Sequence, residues 1–201
     1  MLRANNFSSC YCRNDGNGKF TLIPLPIQAQ LSAINGMTVD DFNGDGNLDI
    51  LMNCNDWGTE VSVGRYDALN GLLMTGDGKG GFVAQTILQS GIYIPGNGKA
   101  LVCLRGQNNH YLAAAAQNRG PLKIFELKRK VTNIQLLPED ISAELTYRNG
   151  ISRKLEFYYG SSFLSQSGRF TEADDNMKSI VISNSQRGIR TIITGHPEKL
   201  L

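Results

Sequence analysis

The chain has 201 residues, of which 41% are hydrophobic, and a formal net charge of +2 with acidic and basic residues interspersed. That length suffices for one or two domains with a sizeable core, and the composition excludes a disordered chain. The balanced charge excludes a nucleic-acid partner recognised through a basic surface, and no segment is long and apolar enough to insert in a membrane as a helix.

Twenty-two glycines, few aromatics and many Asn, Asp and Ser predict a turn-rich, all-β chain. Met1-Leu2-Arg3-Ala4-Asn5-Asn6 lacks the apolar stretch of a signal peptide. The first predicted element is a hairpin over about residues 8–26. Cys10 and Cys12 are two apart on its first strand, so they share a face and cannot readily bridge each other. With Cys54 and Cys103 they form no C-x-x-C pair, which argues against zinc. All four read as buried apolar thiols, with a bridge from Cys10 or Cys12 to Cys54 left open.

The next segment carries the most chemistry. Asp41-Phe42-Asn43-Gly44-Asp45-Gly46-Asn47-Leu48-Asp49 places an oxygen-bearing side chain at every second position: Asp41, Asn43, Asp45, Asn47 and Asp49. Calcium takes six to eight oxygen ligands in a flexible cage. Three clustered carboxylates repel one another unless a cation lies among them. The competing reading is an Asp/Asn/Gly-rich turn without metal. An EF-hand would need a bidentate Glu at the twelfth position and a following helix, but that position is Met52. The flanks Gly36–Val39 and Leu48–Met52 read as strands. A calcium loop between two strands is therefore expected, outside the EF-hand class.

The connection over about 55–70 is long and carries Trp57 and Tyr66, which read as packing residues or as a stacking surface for a sugar ring. Beyond it, Leu72–Phe82 repeats the pattern of Cys10–Phe20 at an offset of 62 residues: strand, Asp-Gly turn, strand beginning at Phe. The glycine-rich Gly76–Gly81 and Gly96–Lys99 lack the glycine and hydroxyl spacing of a phosphate loop. The calcium segment also has a second copy. Val39-Asp40-Asp41 aligns with Cys103-Leu104-Arg105, and Asp49–Met52 with Tyr111–Ala114. Two residues are missing from that second loop, Arg105–His110, and it holds no carboxylate, so no calcium is expected there.

The repeat unit is thus four antiparallel strands, here about 34–40, 48–54, 71–76 and 82–88, the make-up of a β-propeller blade. The chain would open with the last two strands of one blade, continue with a full blade over about 34–90, and add a third of at least three strands over about 98–127. Closed propellers have roughly four to eight blades. About two blades cannot close a ring, so further blades of a longer chain or an oligomer partner are expected.

Val39–Ile50 followed by Leu73–Phe82 resembles an FG-GAP/VCBS repeat, the calcium-binding blade of integrin-like propellers. In that family the first, third, fifth and ninth loop positions give side-chain oxygens and the seventh a main-chain carbonyl. The resemblance therefore implies side-chain ligation by Asp41, Asn43, Asp45 and Asp49, and backbone ligation by Asn47.

Residues 128–201 differ. Glycine thins out, Lys128-Arg129-Lys130 reads as a linker or solvated strand end, and Ile141–Tyr147, Arg148-Asn149-Gly150 and Ile151–Phe157 predict a hairpin, with a later strand at Lys178–Ser183. A small β-sandwich-like domain is expected. Tyr159–Ser167, with Leu164-Ser165-Gln166-Ser167, resembles the ASPIC/UnbV domain that follows such repeats. The usual Gly-Leu-Gly is absent from Phe170–Asp174, and the usual Trp-Pro-Ser-Gly is reduced to Ser185-Gln186-Arg187-Gly188. Ser161, Ser162, Ser165 and Ser167 lack the Gly-x-Ser-x-Gly elbow of a catalytic serine. His110 and His196, the only histidines, read as surface residues.

Two domains are therefore expected: partial propeller blades over 1–127 and the β domain over 128–201. The leading function is a non-enzymatic, calcium-stabilised recognition or adhesion module of a secreted or surface bacterial protein, binding a glycan or protein, with no nucleic acid and no membrane insertion. The rivals are a propeller-type polysaccharide lyase domain and a structural remnant packed in a larger assembly. A lyase needs a base near its cation, and no His, Lys or Tyr cluster lies near Asp41 in sequence.

Overall fold

The computed structural model describes residues 3–128, 130–161, 165–186 and 188–193. Arg129, Ser162, Phe163, Leu164, Arg187 and His196, singled out above, lie outside the described residues. The chain is all-β, made of several small antiparallel sheets. Strands β1 (Cys10–Gly16) and β2 (Lys19–Pro24) pair as a hairpin. Strands β3 (Ile34–Asp40), β4 (Asp49–Cys54), β5 (Leu72–Gly76) and β6 (Phe82–Ala84) form a four-stranded sheet in chain order, and β7 (Gly98–Arg105), β8 (Tyr111–Gln117) and β9 (Lys123–Glu126) a three-stranded one. Then β10 (Thr132–Gln135) pairs with β13 (Phe170–Ala173). Strands β11 (Asp140–Tyr147), β12 (Ser152–Glu156), β14 (Met177–Asn184) and β15 (Ile189–Ile193) form a sheet ordered β12-β11-β14-β15. The described residues form two compact units, the first built of 3–102 and 114–124, the second of 103–113, 125–161 and 165–193 apart from 129 and 187.

In the first unit β4 is the buried centre. All six of its residues are inaccessible, as its uninterrupted apolar run predicts for a strand covered on both faces. Its neighbour β3 alternates, with Gly36 and Thr38 inward and Met37 and Val39 outward. Ile50, Met52 and Cys54 meet Ala29, Leu69, Leu72 and Met74 in one apolar cluster.

Asparagines then stitch this sheet to the chain that follows. Asn53 Nδ2 donates to the carbonyls of Ala100 (3.0 Å) and Ala116 (2.8 Å). Asn55 Nδ2 donates to those of Leu69 (2.6 Å) and Gly96 (2.9 Å), and Asn35 Nδ2 to those of Asn55 (2.7 Å) and Gly98 (3.0 Å). An amide offers two donors and an acceptor on a short stem, so it can satisfy buried main chain where no strand continues.

The β1–β2 turn differs from the Asp-Gly reading. Asn17 and Gly18 form the two-residue tip with φ of 51° and 73°, and Gly16 (φ 81°) lies at a register shift. A tight hairpin needs two successive left-handed residues, which Asn-Gly supplies. Asp15 instead bonds Arg13 and Thr21.

All four cysteines are free. Cys54 and Cys103 are buried, as expected, but Cys12 is exposed because a two-stranded sheet covers little of its own faces. Burial pushes the Cys54 thiol up to about 12. Since the thiolate is the reactive form, native protein at pH 8 should be labelled by a thiol reagent at Cys12 first. Cys54 should stay unlabelled until denaturant is added, and rapid native labelling of Cys54, read by peptide mass, would contradict this packing.

In the second unit Ile134, Leu136 and Ala173 meet Ala143, Leu145, Tyr147, Met177, Ile180 and Ile182, so both sheets feed one apolar cluster. The β11–β12 hairpin turns at Gly150 (φ 86°), with the Tyr147 amide donating to the Ile151 carbonyl at 2.8 Å. Buried Asp140 accepts from Arg190 Nη2 at 2.8 Å. Ser161 Oγ lies 3.0 Å from Ser167 Oγ, which also accepts the Cys103 amide at 3.0 Å. These two serines hold main chain.

Candidate metal centre

The five oxygen-bearing residues occupy the connection from β3 to β4, two strands that pair from Val39↔Ile50 through Asp40↔Asp49. Strand pairing up to both mouths of the loop brings its first and last acids to one place. Asp41 and Asp49 are fully buried, whereas Asn43 and Asp45 are exposed and Asn47 is half-buried.

Main-chain amides organise the acids. Asp41 Oδ1 accepts from Gly44 (2.7 Å) and Asp45 (3.2 Å), and its Oδ2 from Gly46 (2.9 Å). Asp49 Oδ2 accepts from Phe42 (3.0 Å) and Asn43 (3.2 Å). On the rim, Asp45 Oδ1 accepts from the Asn47 amide (2.7 Å), and Asn43 is tied to Asp45 by its side chain. The left-handed Gly44 and Gly46, with φ of 82° and 91°, allow successive amides to point inward.

Burial raises the Asp49 carboxyl above its ordinary range. The amides of Gly76 and Phe42 oppose that shift, while the carboxylates of Asp45 and Asp41 add to it. The three acids are thus close enough to feel one another's charge in a partly desolvated place.

The donor set suits a hard cation: every candidate ligand is oxygen, three are carboxylates, and no sulfur or imidazole competes. Among the described residues no three acids, thiols or imidazoles are already drawn into a ligand cage. Asp41 turns its oxygens to the loop's own amides, and Asp49 to amides of the loop and of β5.

Spacing alone missed the support from β5. The Gly76 amide donates to Asp49 Oδ1 at 3.0 Å, and a side chain at Gly76 would run into the Leu48 carbonyl. Gly78 likewise leaves room for the Asn47 side chain. Both glycines lie at the β5–β6 hairpin turn, and the spacing of the loop's oxygens does not point to them. In that turn Asp77 accepts from Lys79 (2.7 Å) and Gly81 (2.8 Å), and these bonds hold its carboxyl below the usual range.

The second loop, between β7 and β8, is a short 3-10 turn at Gln107–Asn109 with His110 paired to Glu126. In the 55–70 connection, Asp56 and Tyr66 exchange main-chain bonds of 2.8 and 2.9 Å, and the Arg65 guanidinium lies 4.4 Å from the Trp57 ring centre. No family model and no curated protein matches this chain.

Proposed function

We propose that the chain is a calcium-stabilised, non-enzymatic recognition module of a secreted or surface protein, built of propeller blades followed by a small β-sandwich. The observation that carries this reading is the β3–β4 loop, whose two buried acids and exposed third acid share one short bend between paired strands. Asp41, Asn43, Asp45 and Asp49 would hold the ion through side chains and Asn47 through its carbonyl. The cation supplies charge neutralisation, which removes the repulsion among the three acids and stiffens the strand entry. The meander β3-β4-β5-β6, in chain order, supports a blade. The resemblance to FG-GAP/VCBS repeats supports the extracellular setting and a glycan or protein ligand.

An ion that binds only the native state stabilises it by mass action. With an affinity on the order of 10⁻⁴–10⁻³ M, about 10 mM calcium should add about 1.4–2.7 kcal/mol. For this size that raises the melting midpoint by about 3–10 °C over EDTA. Superimposable melts in the two buffers would reject the calcium reading.

A further inference from the structure

The two loops that join first to second strand in their sheets carry opposite charge. Where Asp41 opens the β3–β4 loop, Arg105 opens the aligned β7–β8 loop, which has no carboxylate. This second loop borders a shallow, solvent-open surface pocket of about 390 Å³, lined by Arg105, Gly106, Gln107, Asn108 and Asn109. Its frame is pinned. The Gly106 amide donates to the His110 carbonyl at 2.7 Å and the His110 amide to the Gln107 carbonyl at 3.0 Å. Asn109 Oδ1 accepts the Asn133 amide at 3.2 Å, Asn133 Nδ2 donates to the His110 carbonyl at 3.2 Å, and Glu126 is taken up by the His110 ring. Asn108 and Asn109 hold left-handed backbone, with φ of 52° and 63°. Among the described residues, no hydrogen bond or ion pair engages the side chains of Arg105, Gln107 or Asn108.

We propose that this loop binds an acidic saccharide, Arg105 taking the carboxylate of a uronate and Gln107 and Asn108 its ring hydroxyls. The inference rests on the recognition-module reading and names its ligand class. A guanidinium fork matches a carboxylate in geometry and charge. Primary amides both donate and accept, as a hydroxylated ring requires. The lining has no apolar side chain, so a hydrophobic peptide anchor or a lipid chain has no wall to pack against.

The intact chain should be titrated in calcium-free buffer with trigalacturonate, with the neutral galactose trimer, and with a short glutamate peptide, following backbone amide resonances. The uronate should bind with a Kd of about 1 mM or tighter, shifting the amides of 106–109. Arg105→Gln should weaken it at least about tenfold and Arg105→Lys less, because lysine keeps the charge and loses the fork. Equal binding of the neutral trimer, shifts confined to other loops, an unaffected Arg105→Gln variant, or tighter binding of the peptide would each overturn the proposal. Should Arg105→Gln fail to fold by circular dichroism, the acidic-versus-neutral comparison on the unmodified chain decides. The calcium reading is scored separately by melting, so either can fail while the other stands.

Discussion

Gly98→Ala should cost the first unit about 3 kcal/mol, the upper end of the range for overpacking a filled interior. A methyl group there would coincide with buried Asn53 Oδ1 and the Cys54 carbonyl, and neither group is the loose end of a flexible side chain. Asn53→Leu attacks the same junction from the other side. It keeps the volume but strands the carbonyls of Ala100 and Ala116, which now share the Asn53 amide. Each orphaned, partly buried acceptor costs about 1–3 kcal/mol, so about 2–6 kcal/mol in total is expected. The two changes share a contact, so their effects should be less than additive in a double mutant. Urea unfolding followed by Trp57 fluorescence measures this. If either variant unfolds within about 0.5 kcal/mol of the parent, the asparagine clasp does not hold the first unit together.

The second large effect separates the structural duty of the β3–β4 loop from its proposed metal binding. Asp49→Ala removes the acceptor for the amides of Phe42, Asn43 and Gly76. It should destabilise the protein by about 3 kcal/mol even in EDTA, since three partly buried amides lose their partner. Asp45→Asn should behave in the opposite way. Asp45 is exposed, so the variant's amide oxygen can keep the bond from the Asn47 amide while water replaces the bond from Asn43 Nδ2. Its melt in EDTA should therefore match the parent within about 0.5 kcal/mol, while the calcium-induced rise shrinks because one of three carboxylates has been neutralised. An Asp45→Asn variant with a full calcium response would show that the Asp45 carboxylate does not hold the ion. An Asp49→Ala variant as stable as the parent would show that the loop is a passive turn.

How much of this was legible beforehand varies by element. The strands of the four-stranded sheet are set by local pattern. The unbroken apolar run of β4 needs cover on both faces; β3 adjoins it across the candidate loop, and β5 returns to it after the long 55–71 connection. The five alternating oxygens of the candidate loop are equally local, because a carboxylate at every second residue is visible without any fold. The asparagine clasp was not legible. Asn53 and Asn55 look like ordinary strand-end residues, and their partners at Gly96, Ala100 and Ala116 lie 41 to 63 residues away. Nothing in a linear pattern pairs a side-chain amide with a distant carbonyl.

The linear order of residues was enough for the all-β class and the oxygen-rich bend, because each depends on neighbours a few positions apart. Tertiary structure alone decided which acids are buried, that Gly76 closes over Asp49, that the tip of the first hairpin is Asn17-Gly18, and that Arg105 lines an open polar surface pocket. The reason is physical: burial and long-range hydrogen bonds are properties of which surfaces meet, and a strand's own sequence specifies its faces but not what will cover them.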